Sequence, residues 1–206
     1  MGISLTLEQK GYACGMTTGQ GFIDLLNPTP EQINLDDMVT NLDRTYRWKG
    51  AVPFTVNQHE TLVMLIIRHW GGNWQTQFEG LIHDGHEYIT GDIPAPFKDG
   101  LWFKAKDGSL NRVADMQERL QKAIRAKLGF KPEDIAAVDF ELVRKADRLA
   151  LEMEYDYWFN RKRAGDCSGD DSLALGLICD LDAVYHLRNW RYNWAEFSAH
   201  LSPMEN

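Results

Sequence analysis

His83, Asp84, His86, Glu87 and Asp92 place five ionisable side chains within ten residues of the stretch "GLIHDGHEYITGDIPAP", Gly80 to Pro96. Apolar residues bracket the group, which a surface helix does not need and a core helix should avoid. On a helix His83 and Glu87 are four apart and Asp84 and Glu87 three apart, so the three side chains converge on one rim. Adjacent His83 and Asp84 point about 100° apart, yet both can reach an ion held against the helix side. Imidazole with carboxylate suits a divalent ion such as Mn, Co, Zn, Fe or Mg. Two ligands hold an ion poorly. His59 and Asp147 offer more, each in mid-helix beside an apolar stripe, where a lone ionisable group is costly. Each also has a plain structural explanation: His59 as a hydrogen-bonded core histidine, Asp147 as a solvated charge between Lys145 and Arg148. His86 reads as solvent-facing or supporting, not as a ligand.

The elements that must position these residues read as helices, and the expected class is all-α. The first is "PTPEQINLDDMVTNLDRTYRW", with Pro30 at its start. The second runs from about Asn57 to Trp70, with Asn57 and Glu60 placed as a capping pair. A third, Gln75 to Ile89, carries the ionisable cluster, and "TGDIPAP" ends it. "FKDGLWFKAKDGSL" reads as an exposed loop of basic and aromatic residues. A helix from about Asn111 to Leu128 is closed by Gly129, and a long helix starts at Pro132. "RAGDCSGDDS" is a second loop, after which Tyr185, Trp190, Tyr192, Trp194 and Phe197 fall at helical spacing. No segment alternates as a strand does. The division expected is an irregular arm over 1–30 with room for a short hairpin, a helical domain over 31–160, and a C-terminal helical extension over 161–206 packed on the same domain.

A net charge of −8 argues against sequence-independent binding to nucleic-acid polymers or an anionic membrane, both of which want a positive surface. It leaves room for a small anionic ligand held by a few Lys and Arg. Three cysteines, Cys14, Cys167 and Cys179, lack metal-site spacing and suit a reducing cytoplasm. No apolar run is long enough to span a bilayer. "GDCSGDDS" resembles a calcium loop only faintly, since Leu177 stands where that loop needs Glu. "GMTTGQG" is not followed by the Gly-Lys-Ser/Thr of a phosphate loop.

The order His59, His83-Asp84, Asp147 resembles the HD superfamily of metal-dependent phosphohydrolases. "GFIDLLNPTPEQINLDDMVTNLDRTYRWKG" is similar to the lead-in of its small bacterial and phage members. "VNQHETLV" sits where they carry Ser-Val-Ala-Glu/Gln-His. "LIHDGHEYITGDIPAPFK" closely resembles their His-Asp-x-x-Glu…Gly-Asp-Ile/Leu-Pro block, and "VRKADRLALEME" their final Lys/Arg-x-Ala-Asp helix. The resemblance covers roughly Gly21 to Tyr155. Asn57-Gln58 and Gly85-His86 depart from the pattern without removing a ligand.

The resemblance implies an HD-domain helical bundle in which His59, His83, Asp84 and Asp147 hold a divalent metal ion. It implies Glu87 as the acid/base group, with Asp92 second; a turn-forming Asp is the structural alternative for Asp92. Arg47-Trp48 resembles the pair that grips phosphate and base in 5′-deoxynucleotidases, by bidentate contact and ring stacking, although Trp48 also reads as core. Lys98 is the further phosphate ligand implied. The expected activity is hydrolysis of deoxynucleotides. Release of triphosphate from a dATP-type substrate, as in the compact phage enzymes, is preferred for the basic loop after Pro96. A 5′-deoxynucleotidase acting on monophosphates and a non-catalytic nucleotide-binding domain are the alternatives. A cytoplasmic homo-oligomer is expected.

Overall fold

Thr55 and Gln58 start the helix on which the rest is assembled. In the computed structural model, which describes residues 14–16, 21–105 and 107–160, Thr55 Oγ1 accepts from the Gln58 amide and Gln58 Oε1 accepts from Thr55 N–H at 2.9 Å. This capping box replaces the Asn57–Glu60 pair expected from sequence. Asn57 instead donates to Val39 O at 3.0 Å, and Glu60 is wholly buried.

The chain before it opens with an antiparallel hairpin, β1 (Cys14–Met16) and β2 (Phe22–Asp24), with Gly15 opposite Ile23. Ile23 is fully buried in the main core. The rest of the expected arm before residue 21 lies outside the described residues. The helix expected from Pro30 is two pieces, a 3-10 turn Pro30–Gln32 and α1 (Leu35–Leu42). Asn34 separates them, because its side chain accepts from Asp37 N–H and so starts a new helix.

α2 (Val56–His69) is buried on nearly every side and packs against both α3 (Trp74–Ile82) and the last long helix. From Leu62 to Ile67 it is apolar all round, as suits the centre of a core, while its polar first half, Asn57 to Thr61, is buried as well. Gly80 lets α3 approach closely: a Cβ there would lie 2.5 Å from Ile67 Cδ1 and 3.4 Å from Met64 Cα. α3 stops at Ile82, not Ile89. Gln121 donates to Ile82 O at 2.6 Å, and Gly85 N–H takes the same carbonyl at 2.8 Å, which diverts the chain into a turn before α4 (Glu87–Thr90).

After α5 (Ala95–Lys98), the segment read as a loop forms a second hairpin, β3 (Trp102–Lys104) paired with β4 (Leu110–Arg112). The first hairpin falls in the arm where a short hairpin was expected, and the second corrects the reading of a loop there; the described residues are mostly helical. Three-residue pairings are too short for an alternation signal. α6 (Val113–Lys127) follows directly. The long helix expected from Pro132 is α7 (Pro132–Ala136) and α8 (Phe140–Trp158). Asp139 breaks them apart: its carboxylate caps α8 by accepting from Leu142 N–H, and its own N–H donates to Thr76 Oγ1. One apolar core runs from Ile23 to Met153. No described helix is long and apolar enough to cross a membrane. The expected extension, 161–206, with its aromatic residues, the "GDCSGDDS" loop and two of the cysteines, lies outside the described residues.

Candidate metal centre

Three helices deliver the four predicted ligands to one place. His59 comes from the second turn of α2, His83 and Asp84 from the end of α3, and Asp147 from the middle of α8. His59 Nε2 lies 3.0 Å from Asp147 Oδ1 and 3.8 Å from Asp84 Oδ2, and His83 Nε2 lies 3.4 Å from Asp84 Oδ2 and 3.7 Å from Asp147 Oδ1. Metal–ligand bonds of about 2.0–2.2 Å place neighbouring donors about 3.0–3.6 Å apart, so these separations suit one ion between them. Both Nε2 atoms are buried and turned toward the Asp84 and Asp147 carboxylates, a cluster that protons or a cation must hold together. His59, His83 and Asp84 form a group that could hold a metal ion, and Asp147, side chain 45% exposed, closes on both imidazoles from the solvent side.

Each imidazole is aimed by its other nitrogen. His83 Nδ1 donates to Gly80 O at 2.9 Å, and His59 Nδ1 to Glu154 Oε1 at 2.6 Å. Glu154 is fully buried, and its other oxygen accepts from both Arg47 Nε and Trp48 Nε1 at 2.9 Å. Sequence reading missed this residue. Its signal was an acid in the apolar face of α8, two turns after Asp147 and next to Met153. Carboxylates that orient ligating histidines raise metal affinity. Glu154→Gln keeps the shape but presents an amide to three donors, and is expected to weaken metal binding about 10–100-fold, read by competition with a chelator.

Arg47 and Trp48 do not end a helix, as expected, but enter a 3-10 turn over Trp48–Gly50. Trp48 and Lys49 have φ of 55° and 56°. Left-handed backbone at two non-glycine residues persists only where surroundings enforce it, and here the Glu154 bond to Trp48 and a 2.7 Å bond from Lys49 Nζ to Asp92 O do so. Arg47 Nη1 reaches to 3.9 Å from Asp84 Oδ2. The Trp48 ring meets Phe159 edge-on at 5.1 Å and Tyr155 at 5.9 Å. With Leu151, Glu152, Tyr155 and Asp156 it lines an open groove of about 380 Å³.

Glu87 and Lys98, from the predicted acid/base and phosphate set, also lie near Asp84. Glu87 is 2% exposed, with Oε1 3.3 Å from Lys98 Nζ and Oε2 without a partner among the described residues. Burial, then the negative charge of Asp84, pushes its carboxyl up to about 9. Asp92 is partly exposed, and its charge is felt by Arg47, Glu87 and Lys98. His86, read as solvent-facing or supporting, is buried, which excludes the first of these, and burial holds its imidazole down to about 4. Glu60, also missed as a site residue, is wholly buried with neither oxygen hydrogen-bonded among the described residues; burial pushes its carboxyl well up.

Burial alone would lower the His83 imidazole, but Asp84 and then Asp147 outweigh it and hold it up to about 10 in the metal-free protein. Burial would likewise raise Asp84, yet His83 and then His59 hold it well below the usual carboxylate range. An ion must therefore displace a proton from His83 at neutral pH. The sign follows: metal affinity is expected to fall by about tenfold per unit as pH drops below 10, for one proton displaced. Titrations in weakly buffered solution should also show proton release. An affinity flat between pH 6 and 9 would exclude His83 as the displaced group.

No protein-family model matches the chain. It is similar to an uncharacterized protein of Rhodobacter capsulatus, 27% identical over 171 residues, which span 77% of this chain and 82% of the relative.

Proposed function

We propose that this protein is a divalent-metal-dependent phosphohydrolase of the HD type that acts on deoxynucleotides. The observation that carries the reading is the pair of buried imidazole nitrogens, His59 Nε2 and His83 Nε2, set at ligand spacing against Asp84 and Asp147. Those four residues would hold the ion. When bound, it polarises a phosphoryl oxygen and acidifies a water.

The chain's own groups perform the remaining tasks. Glu87 moves the proton, taking it from the attacking water or giving it to the leaving oxygen; Asp92 is the second candidate for that task. Arg47, pinned through Nε to Glu154, turns its remaining N–H groups toward the phosphate. Lys98, beside Glu87 and partly buried, adds a second positive charge for the outer phosphates. Trp48 and Tyr155 border the groove that takes the base. With both Arg47 and Lys98 near Asp84, release of triphosphate from a deoxynucleoside triphosphate is the preferred mode, and a 5′-deoxynucleotidase is the alternative.

The test is a release screen over deoxy- and ribonucleotides at mono-, di- and triphosphate level, with Mg, Mn, Co and Zn. Tripolyphosphate plus deoxynucleoside supports the preferred mode. Activity confined to monophosphates means a deoxynucleotidase, and no release with any metal leaves a nucleotide-binding domain. Trp48→Ala is expected to cost about 1–3 kcal/mol of nucleotide affinity, the range for base–aromatic stacking, with metal content retained. Calorimetry showing unchanged affinity would return Trp48 to a packing role.

A further inference from the structure

Beside the first group, Asp84, His86 and Glu87 form another set whose ligand atoms all lie within 4.8 Å of one another. We propose that this set is a second cation site, sharing Asp84 with the first, for a divalent ion such as Mn²⁺ or Fe²⁺. The proposal rests on how the side chains are tied down. Gln121 donates its amide N–H to Ile82 O at 2.6 Å, which turns its oxygen toward His86. That oxygen accepts from His86 N–H at 3.2 Å and lies 3.4 Å from His86 Nδ1. An amide oxygen only accepts, so Nδ1 carries the hydrogen and Nε2 presents a lone pair.

That lone pair is buried, on a residue 8% exposed, and has no partner among the described residues. Glu87 repeats the pattern, with Oε1 on Lys98 and Oε2 unpartnered. His86 Nε2 and Glu87 Oε2 are thus two buried, unpartnered atoms beside the Asp84 carboxylate, and a cation can take the place of the Glu87 proton among them. A cation satisfies all three at once. One imidazole with two carboxylates matches the borderline-hard divalent ions.

A shared carboxylate would bring two ions to about 3.5–4 Å, the separation at which paired metals clamp a phosphoryl group. The acid/base role given above to Glu87 belongs to the one-ion form. In the two-ion form its Oε2 is a ligand. The site itself stands on geometry and does not require that the substrate be a nucleotide.

The test loads the full chain with Mn²⁺ alone, counts the metal after dialysis and records its paramagnetic resonance spectrum. Wild type is expected to hold about two ions per chain with the spectrum of a coupled pair, and His86→Ala one ion with the spectrum of an isolated centre. Asp147→Asn, which leaves the second set whole, should also keep one. A wild type that saturates at one isolated ion overturns the proposal, whether or not His86→Ala folds. So does a folded His86→Ala that binds as many ions as wild type, or an Asp147→Asn that binds none. Loss of one ion in Asp147→Asn but not in His86→Ala upholds the first centre while overturning the second.

Discussion

His83→Ala is expected to abolish stable metal binding at the first centre and, with it, all measurable hydrolysis, while the helical content of the protein is preserved. The imidazole is held on two sides: Nδ1 is fixed by Gly80 O in its own helix, and Nε2 faces Asp84 and Asp147. Removing it leaves His59 as the sole imidazole and makes half-exposed Asp147 and Asp84 carry the ion. It also leaves the Asp84 charge buried without its main compensating partner, a situation that destabilises as well as inactivates. The stability readout separates these effects. An ion that binds only the native state at a hundred times its Kd adds about 2.7 kcal/mol. Wild type should therefore melt at a higher temperature with metal than with chelator, and His83→Ala should melt alike in both. Metal occupancy equal to wild type would remove His83 from the ligand set.

Glu87→Gln is expected to lower turnover by about 10²–10⁴, the range for a lost acid/base group, with the ion held by His59, His83, Asp84 and Asp147 still in place. The amide matches the carboxyl in shape and still offers Lys98 an oxygen, so the fold around α4 should survive. What it loses is proton exchange. In the metal-free protein the Glu87 carboxyl is pushed up to about 9, first by burial and then by Asp84, so at neutral pH it carries the proton a leaving oxygen requires. Carboxyls kept protonated by apolar surroundings serve as general acids. Wild-type turnover in a folded, metal-loaded Glu87→Gln would leave this residue a packing role only.

The sequence alone determined which segments are helical and which residue types could bind an ion, because both signals are local. Apolar spacing marks α2, α6 and α8 within a few turns, and His83, Asp84 and Glu87 declare their chemistry within five positions. Tertiary structure decided the rest. α3 ends at Ile82 because a glutamine 39 residues away takes its carbonyl, and no local pattern announces that. The approach of Asp84 and Glu87 thus comes from a turn, not from the helical rim that spacing suggested. Glu154 was invisible as a site residue because its partners, Arg47 and His59, lie 107 and 95 residues away. Glu60 likewise passed for a capping residue, since a carboxylate near a helix start is ordinary until burial is known. His86 could be read as solvent-facing or supporting for the same reason: a side chain's charge is written in the sequence, whereas its access to water is set only when the helices pack.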